Sequence, residues 1–194
     1  MLPPVLILAG GQGTRAREYL GDTPKFLAPI RDTVLGDLLL DYLYKQGVRK
    51  VILSLSGSNG ADKIFKYIVQ RGSPKDLIVS FSIPNQQLGI LRSISYASAH
   101  YKDVENLIVI NGDTLLKVDL QAAMTFHSVI PDSSTRIFSP TLEKYKHNGI
   151  IIYSKVALNS LSDHNTRAAS LPKSSFIDIG TKEDWEKAQT WHNN

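Results

Sequence analysis

The stretch from Val5 to Lys25 reads VLILAGGQGTRAREYLGDTPK. Five apolar residues, Val5 to Ala9, run into Gly10, Gly11 and Gly13, and Arg15 and Lys25 follow ten positions apart. This pattern predicts a buried strand whose carboxyl end turns sharply towards an anion. Glycines let the backbone fold back and present N–H groups to phosphate oxygens, and the two cations neutralise the charge collected there. Three other readings compete. A strand ending in a plain glycine turn explains Gly-Gly, though not the cations. A dinucleotide fold would use Gly11, Gly13 and Ala16 as G-x-G-x-x-G/A, but it wants an acid closing the second strand, and Val51 to Leu55 runs into Ser56 and Gly57. A P-loop needs Gly-Lys-Ser/Thr, and no such tripeptide occurs.

The chain around this stretch has 194 residues, of which 42% are apolar and 21% charged, which suits one soluble globular domain. With no cysteine there is no disulfide scaffold, thiol catalysis or thiolate metal site, and a reducing, cytoplasmic setting is expected. No secretory leader and no membrane span are read from the pattern. The net charge of +4 is spread along the chain without a basic and aromatic stripe, so nucleic acid and membrane are not expected partners.

Downstream of Lys25, Phe26 to Ile30 lies between Pro24 and Pro29 and is expected to be extended. Helical spacing covers Val34 to Gln46, with Gly47 as a left-handed cap, and Val48 to Leu55 forms the next strand. Strand, helix, strand predicts a right-handed crossover and a parallel sheet. A helix over Asp62 to Gln70 should bury Ile64, Phe65, Ile68 and Val69, and Leu77 to Ile83 should make a strand with one less buried face. A helix from Ile90 to Tyr101 and a strand from Asn106 to Ile110 follow. Beyond Asp119 the expectation is a helix over Leu120 to Val129, strands at Arg136 to Phe138 and Ile150 to Tyr153 in a smaller antiparallel part, and a long loop from Asn159 to Ser174.

Two carboxylates stand out. Asp113 follows a strand end in Asn111-Gly112-Asp113, where open α/β sheets bind ligands and where a hard divalent ion could be held, although Asn-Gly-Asp is also ordinary turn chemistry. Asp178 sits in an apolar frame, Phe176 to Ile179, which suggests a mid-strand acid in need of a partner or metal. Thr181 and Asp184 read as a capping pair opening the last helix. The five histidines lack zinc spacing and read as surface or structural residues, and Trp185 and Trp191 read as packing residues.

Taken together, GGQGTR at 10 to 15, PK at 24 and 25, NGD at 111 to 113 and FIDIGT at 176 to 181 resemble the sugar-phosphate nucleotidyltransferases, in particular the D-glycero-D-manno-heptose 1-phosphate guanylyltransferase branch. The resemblance implies an α/β fold of three layers around a mostly parallel sheet, of the glycosyltransferase-A type. It also implies transfer of a nucleotidyl group from an NTP to a sugar 1-phosphate, in surface-polysaccharide precursor synthesis. In that scheme residues 1–118 form a nucleotide-binding half and 119–194 a shortened sugar-binding half.

By position, the resemblance assigns the nucleotide to Leu8, Ala9, Gly10, Gly11, Gln12, Gly13 and Thr14, with Gly89 at the base. Arg15 would stabilise departing pyrophosphate, Lys25 would bridge the reacting phosphates, and Asp113 and Asp178 would bind Mg²⁺. Lys144 and Asn148 would touch the sugar phosphate and sugar. Where relatives carry Leu-Gly-Thr-Gly-Gly-Ala, this chain has Leu88 to Ser93, and Leu91 and Arg92 are expected to crowd the base-reading surface. A molybdopterin guanylyltransferase, a non-catalytic nucleotide or sugar-phosphate binding protein, and a homo-oligomer remain open alternatives.

Overall fold

The computed structural model describes residues 1–55, 60–74, 76–86, 88–99, 104–130, 133–140, 145–160, 166–171 and 174–191, without the side chains of 138–140, 145–148 and 160. In chain order the elements begin with β1 (Val5–Leu8), α1 (Arg17–Leu20), the short strands β2 (Pro29–Ile30) and β3 (Thr33–Val34), and α2 (Leu35–Lys45). They continue with β4 (Lys50–Ser54), α3 (Ala61–Arg71), β5 (Ile78–Ser82), α4 (Ile90–Ser98), β6 (Asn106–Asn111), β7 (Thr114–Lys117) and α5 (Leu120–Ser128). The last are β8 (Ser134–Pro140), β9 (Tyr145–Ser154), α6 (Lys155–Ser160), β10 (Thr166–Ser170), β11 (Ser175–Asp178) and α7 (Lys182–Ala188).

Seven strands form one sheet in the order β10-β8-β9-β6-β1-β4-β5. β1 lies between β4 and β6 and is parallel to both, and β5 continues the parallel run beyond β4. β9 is antiparallel to β6 and β8, so it alone runs against the rest. The central place of β1 follows from its sequence. A strand with apolar residues on both faces needs cover on both, and alternation sends Val5 and Ile7 to one side and Leu6 to the other. Val5 and Ile7 pack with Leu39, Leu40 and Leu43 of α2, Ile64 and Ile68 of α3 and Leu120 and Ala123 of α5. Leu6 packs with Ile94 and Ala97 of α4 and Ala157 of α6. Helices on both faces make the three layers. Removing one such fully buried Leu or Ile side chain from water is worth about 1.5–3 kcal/mol.

Local signals end the elements where expected. Gly47, at φ 93°, reverses the chain after α2, a conformation that costs a residue with a Cβ. The Asp119 carboxylate accepts from the Ala122 N–H at 2.9 Å to cap α5, and the Thr181 hydroxyl caps α7 through the Asp184 N–H. Trp185 and Trp191 pack on a third apolar cluster that includes Ala16, Leu20, Leu35, Leu115 and Ile179. His127 is buried as a structural residue.

Several expectations are corrected. Residues Lys25–Leu27 form a 3-10 turn, followed by the β2-β3 hairpin, in place of one extended segment. Proline restrains the residue before it, so Pro24 leaves Lys25 free to start a helical turn, and only Ala28, before Pro29, is held extended. On α3, Ile64 and Ile68 are buried whereas Phe65 and Val69 are exposed, the Phe65 ring lying 4.9 Å from that of Phe81 on β5, the strand that ends the sheet. β8 and β9 extend the main sheet, since β9 pairs along the whole open edge of β6. The expected loop over Asn159 to Ser174 contains β10, an edge strand whose Thr-Arg-Ala-Ala-Ser sequence has little apolar alternation to announce it. Among the described residues no helix is long and apolar enough to cross a membrane.

Candidate functional site

At the carboxyl end of β1 the sheet opens into a loop bounded by two neighbours. The Ala9 N–H donates to Ser54 O of β4, and the Gly112 N–H donates to Leu8 O, both at 3.0 Å. The approach at Gly112 is close. A Cβ there would lie 2.8 Å from Leu8 O and 3.0 Å from Ala9 Cα, so the two strand ends can lie against each other only with glycine at 112. Gly13, at φ 58°, then starts a 3-10 turn over Thr14–Ala16 that leads into α1, and Ala16 of the turn with Leu20 of α1 joins the third apolar cluster.

Two cavities flank this loop and share Gly11 and Lys25. One, of about 310 Å³, is lined by Leu8, Ala9, Gly10 and Gly11 on one side and by Leu88, Gly89, Ile90 and Ser93 on the other, with Asn111, Gly112 and Asp113 at its floor. The second, of about 450 Å³, is lined by Gly11, Gln12, Gly13 and Thr14, by Arg17, by residues Gly21 to Lys25, and by Gly60 and Lys63 of the α3 end. Both volumes suit a small-molecule site, and their position beyond the carboxyl ends of parallel strands is where such folds bind ligands.

The Lys25 amine donates to Asp113 Oδ2 at 2.8 Å, with side-chain exposures of 20% and 30%. Phe26, buried beneath Gly36, fixes the turn that carries Lys25. Asp178 comes from the other side of the chain. β11 pairs antiparallel with β7 so that Asp178 stands opposite Thr114, and the Ile179 N–H donates to Asp113 O at 3.0 Å. Asp178 is therefore the last residue of an edge strand and is exposed, not a buried mid-strand acid as the apolar frame suggested. The frame belongs to its neighbours Ile177 and Ile179, which join the third cluster. Tyr19 donates its O–H to Ile179 O. Its pKa is raised by burial first, an effect opposed by Lys25 and reinforced by Asp178 and Asp113.

Hard carboxylate oxygens, one from the turn between β6 and β7 and one from the end of β11, suit Mg²⁺, which takes few protein ligands and keeps water and phosphate oxygens. The donor set is sparse: among the described residues no group of three or more His, Cys, Asp or Glu is gathered as for a closed metal cage.

The sequence-predicted residues Leu8, Ala9, Gly10, Gly11, Gln12, Gly13, Thr14, Lys25, Gly89 and Asp113 all line one cavity or the other. Arg15 is exposed and lines neither. Leu91 and Arg92 are also exposed and line neither; α4 starts at Ile90, so Ile90 and Ser93 face the smaller cavity and the two residues between them turn outwards. Lys144 lies outside the described residues. Asn148 has its backbone in β9, and its side chain is likewise outside them. Sequence reading missed Arg17 and Lys63 in the larger cavity and Ser54, Ser93 and Asn111 in the smaller. Asn111 had a usable signal, as the last residue of a strand paired with Leu8 of β1. Lys63 had none, since α3 is distant in sequence from the glycine loop.

This geometry has relatives. A family model described as the MobA-like NTP transferase domain matches residues 5–173. The chain is 34% identical over 119 residues to a D-glycero-alpha-D-manno-heptose 1-phosphate guanylyltransferase of Campylobacter jejuni, and 31% identical over 147 residues to one of Aneurinibacillus thermoaerophilus. These alignments take in 59% and 76% of this chain but only 49% and 61% of the relatives' length. The crystal structure of HddC from Yersinia pseudotuberculosis complexed with GMP-PN superposes with a TM-score of 0.79 at 28% identity, covering 97% of this chain and 98% of that one. A UDP-glucose pyrophosphorylase from Acinetobacter baumanii shares the fold, with a TM-score of 0.75 at 13% identity over 97% and 92% of the two chains. On these grounds, with the glycine loop and its paired strands in place, the chain belongs to the family of MobA-like NTP transferase domains.

Proposed function

We propose that this protein is a sugar-1-phosphate nucleotidyltransferase that moves a guanylyl group from GTP to a heptose or hexose 1-phosphate in surface-polysaccharide precursor synthesis. The observation that carries the reading is the meeting of Lys25, Asp113 and the glycine loop at the carboxyl end of β1, with Asp178 brought alongside by β11. Support for the substrate class comes from the names of the similar guanylyltransferases. In the reaction a sugar phosphate oxygen attacks the α-phosphorus and forms a P–O bond. The bond from the α-phosphorus to the bridging oxygen breaks, and its electron pair leaves with pyrophosphate. The transfer itself moves no net proton.

Such a transfer needs positioning and charge neutralisation more than covalent help. Gly10 to Thr14 would cradle the triphosphate, Lys25 would bridge the reacting phosphates, Arg15 would offset charge on the departing group, and Leu8, Ala9 and Gly89 would border the nucleoside. Asp113 and Asp178 would hold Mg²⁺, which when bound supplies further neutralisation of the phosphate charge. Residues 1–118 serve as the nucleotide half and 119–194 as the sugar half, where Lys144 and Asn148 would contact the sugar phosphate and sugar. Lack of cysteine agrees with a cytoplasmic setting. Pyrophosphate release over a panel of NTPs and sugar 1-phosphates tests the reading, with GTP expected to lead. Folded protein that turns over no pair defeats it.

A further inference from the structure

The larger cavity carries a charge pattern that the glycine motif does not account for. Among the described residues its walls include three cations, Arg17, Lys25 and Lys63, against one acid, Asp22. Lys25 is already paired with Asp113, which leaves Arg17 and Lys63 against Asp22, a net positive charge on this side. The two come from separate elements, α1 and α3, and line the same cavity with the glycine loop and residues 21–25. The Lys63 amine donates to Asp22 O at 2.8 Å, and a Cβ on Gly60 would strike Pro24 at 2.5 Å. The start of α3 is thus seated directly on the segment that delivers Lys25. The motif arginine, Arg15, lines neither cavity.

We infer that Arg17 and Lys63 form a diphosphate-binding subsite that receives the leaving group, separate from the cavity of Asp113 and Gly89. The inference rests on the transferase reading for the identity of that anion. The smaller cavity contains Lys25 and Asp113, whose charges cancel, so a multiply charged anion gains more by extending past Gly11 into the Arg17 and Lys63 side. A nucleoside triphosphate laid across Gly11 would have its α-phosphate near Lys25 and its outer phosphates between Arg17 and Lys63. Breaking the bond beyond the α-phosphorus leaves pyrophosphate in that pocket, with the electron pair on its own oxygen.

Calorimetric titration of the intact protein with inorganic pyrophosphate tests this independently of turnover. Arg17→Gln and Lys63→Gln are each expected to weaken binding about tenfold, the worth of a charge-assisted hydrogen bond. Lys66→Gln, on an exposed part of α3 outside both cavities, should change it less than about twofold. Arg17→Lys and Lys63→Arg should restore most of the loss, and thermal unfolding checks that all variants are folded. Wild-type protein that does not bind pyrophosphate overturns the inference. So does unchanged binding in both glutamine variants, or loss that appears only in Arg15→Gln. Should the wild type fail to turn over any substrate pair and yet lose pyrophosphate binding in the two variants, the transferase reading falls and the subsite stands.

Discussion

Lys25 and Asp113, both lining the smaller cavity, are joined by a 2.8 Å charged hydrogen bond, so the proposed phosphate cation and the proposed metal ligand are each other's partners. Binding of Mg²⁺ to Asp113 must compete with the amine. Lys25→Met is therefore expected to raise the affinity for Mn²⁺ in the absence of nucleotide, measured by electron paramagnetic resonance. Turnover should fall about 100-fold or more in the same variant, the usual cost of losing one group that stabilises transferred phosphate. Weaker Mn²⁺ binding in Lys25→Met would mean that the pair assists the metal.

The second carboxylate can be removed without touching the core. Asp178 is exposed at the end of β11, so Asp178→Asn should leave the unfolding free energy within about 0.5 kcal/mol of wild type. Its Mg²⁺-dependent turnover should fall by about 100-fold or more. A chemical denaturation curve and a magnesium titration of the rate read the two effects separately. A variant with full activity would show that Asp178 is a bystander.

Two glycines of the loop region should respond differently to a methyl group. At Gly112 the added carbon meets the backbone of Leu8 and Ala9 at 2.8 and 3.0 Å, and neither can retreat without disturbing β1, whereas at Gly11 there is nothing within 4 Å. Gly112→Ala is expected to destabilise the protein by about 1–3 kcal/mol. Gly11→Ala should unfold within about 1 kcal/mol of wild type while weakening binding of GTP, because the new carbon enters space that both cavities share. Denaturation midpoints and a GTP titration check the pair.

Acid should weaken the fold through His127. The ring is 1% exposed; its Nδ1 lies 2.9 Å from Thr135 Oγ1 and its Nε2 3.1 Å from Asn106 Oδ1. The carbonyl-type oxygen of Asn106 can only accept, so Nε2 carries the proton and Nδ1 accepts from the threonine hydroxyl. Burial first, then the nearby Arg167 guanidinium, lowers the pKa below 6.5. The unfolded chain therefore binds more protons than the folded one over that interval, and stability declines as pH falls from about 6.5 through the folded-state value. Melting temperatures recorded between neutral and mildly acidic pH should show this decline, and His127→Asn should flatten it. An equal slope in the variant would assign the effect to other groups.

Much of this arrangement was readable from local pattern. β1, α2, β4 and α5 declare themselves because strong apolar periodicity coincides with a glycine or capping residue at the boundary. The loop at 10 to 14 was likewise readable, because its glycines and cations are neighbours in sequence. What escaped depended on distant neighbours. Whether Phe65 is buried is decided by where β5 ends the sheet, and whether Thr166 to Ser170 pairs is decided by the free edge of β8. Asp178 looked like an interior acid because sequence supplies its flanking isoleucines but not the strand edge on which it stands. Arg17 and Lys63 escaped for the same reason: their shared cavity exists only after α3 has folded over residues 21–24.

The hydrogen bond from Tyr19 to Ile179 joins positions 160 residues apart, and those from Trp185 and Gln189 to Pro29 O span similar distances. Contacts this remote need both ends of the chain to be present before they can form. Synthesis from the amino end therefore exposes the glycine loop and Lys25 long before Asp178 exists to face them. On a ribosome-bound chain the glycine loop and Lys25 are present early, whereas Asp178, the second of the two carboxylates proposed to hold Mg²⁺, arrives only with β11, so the proposed pair is complete only near the end of synthesis.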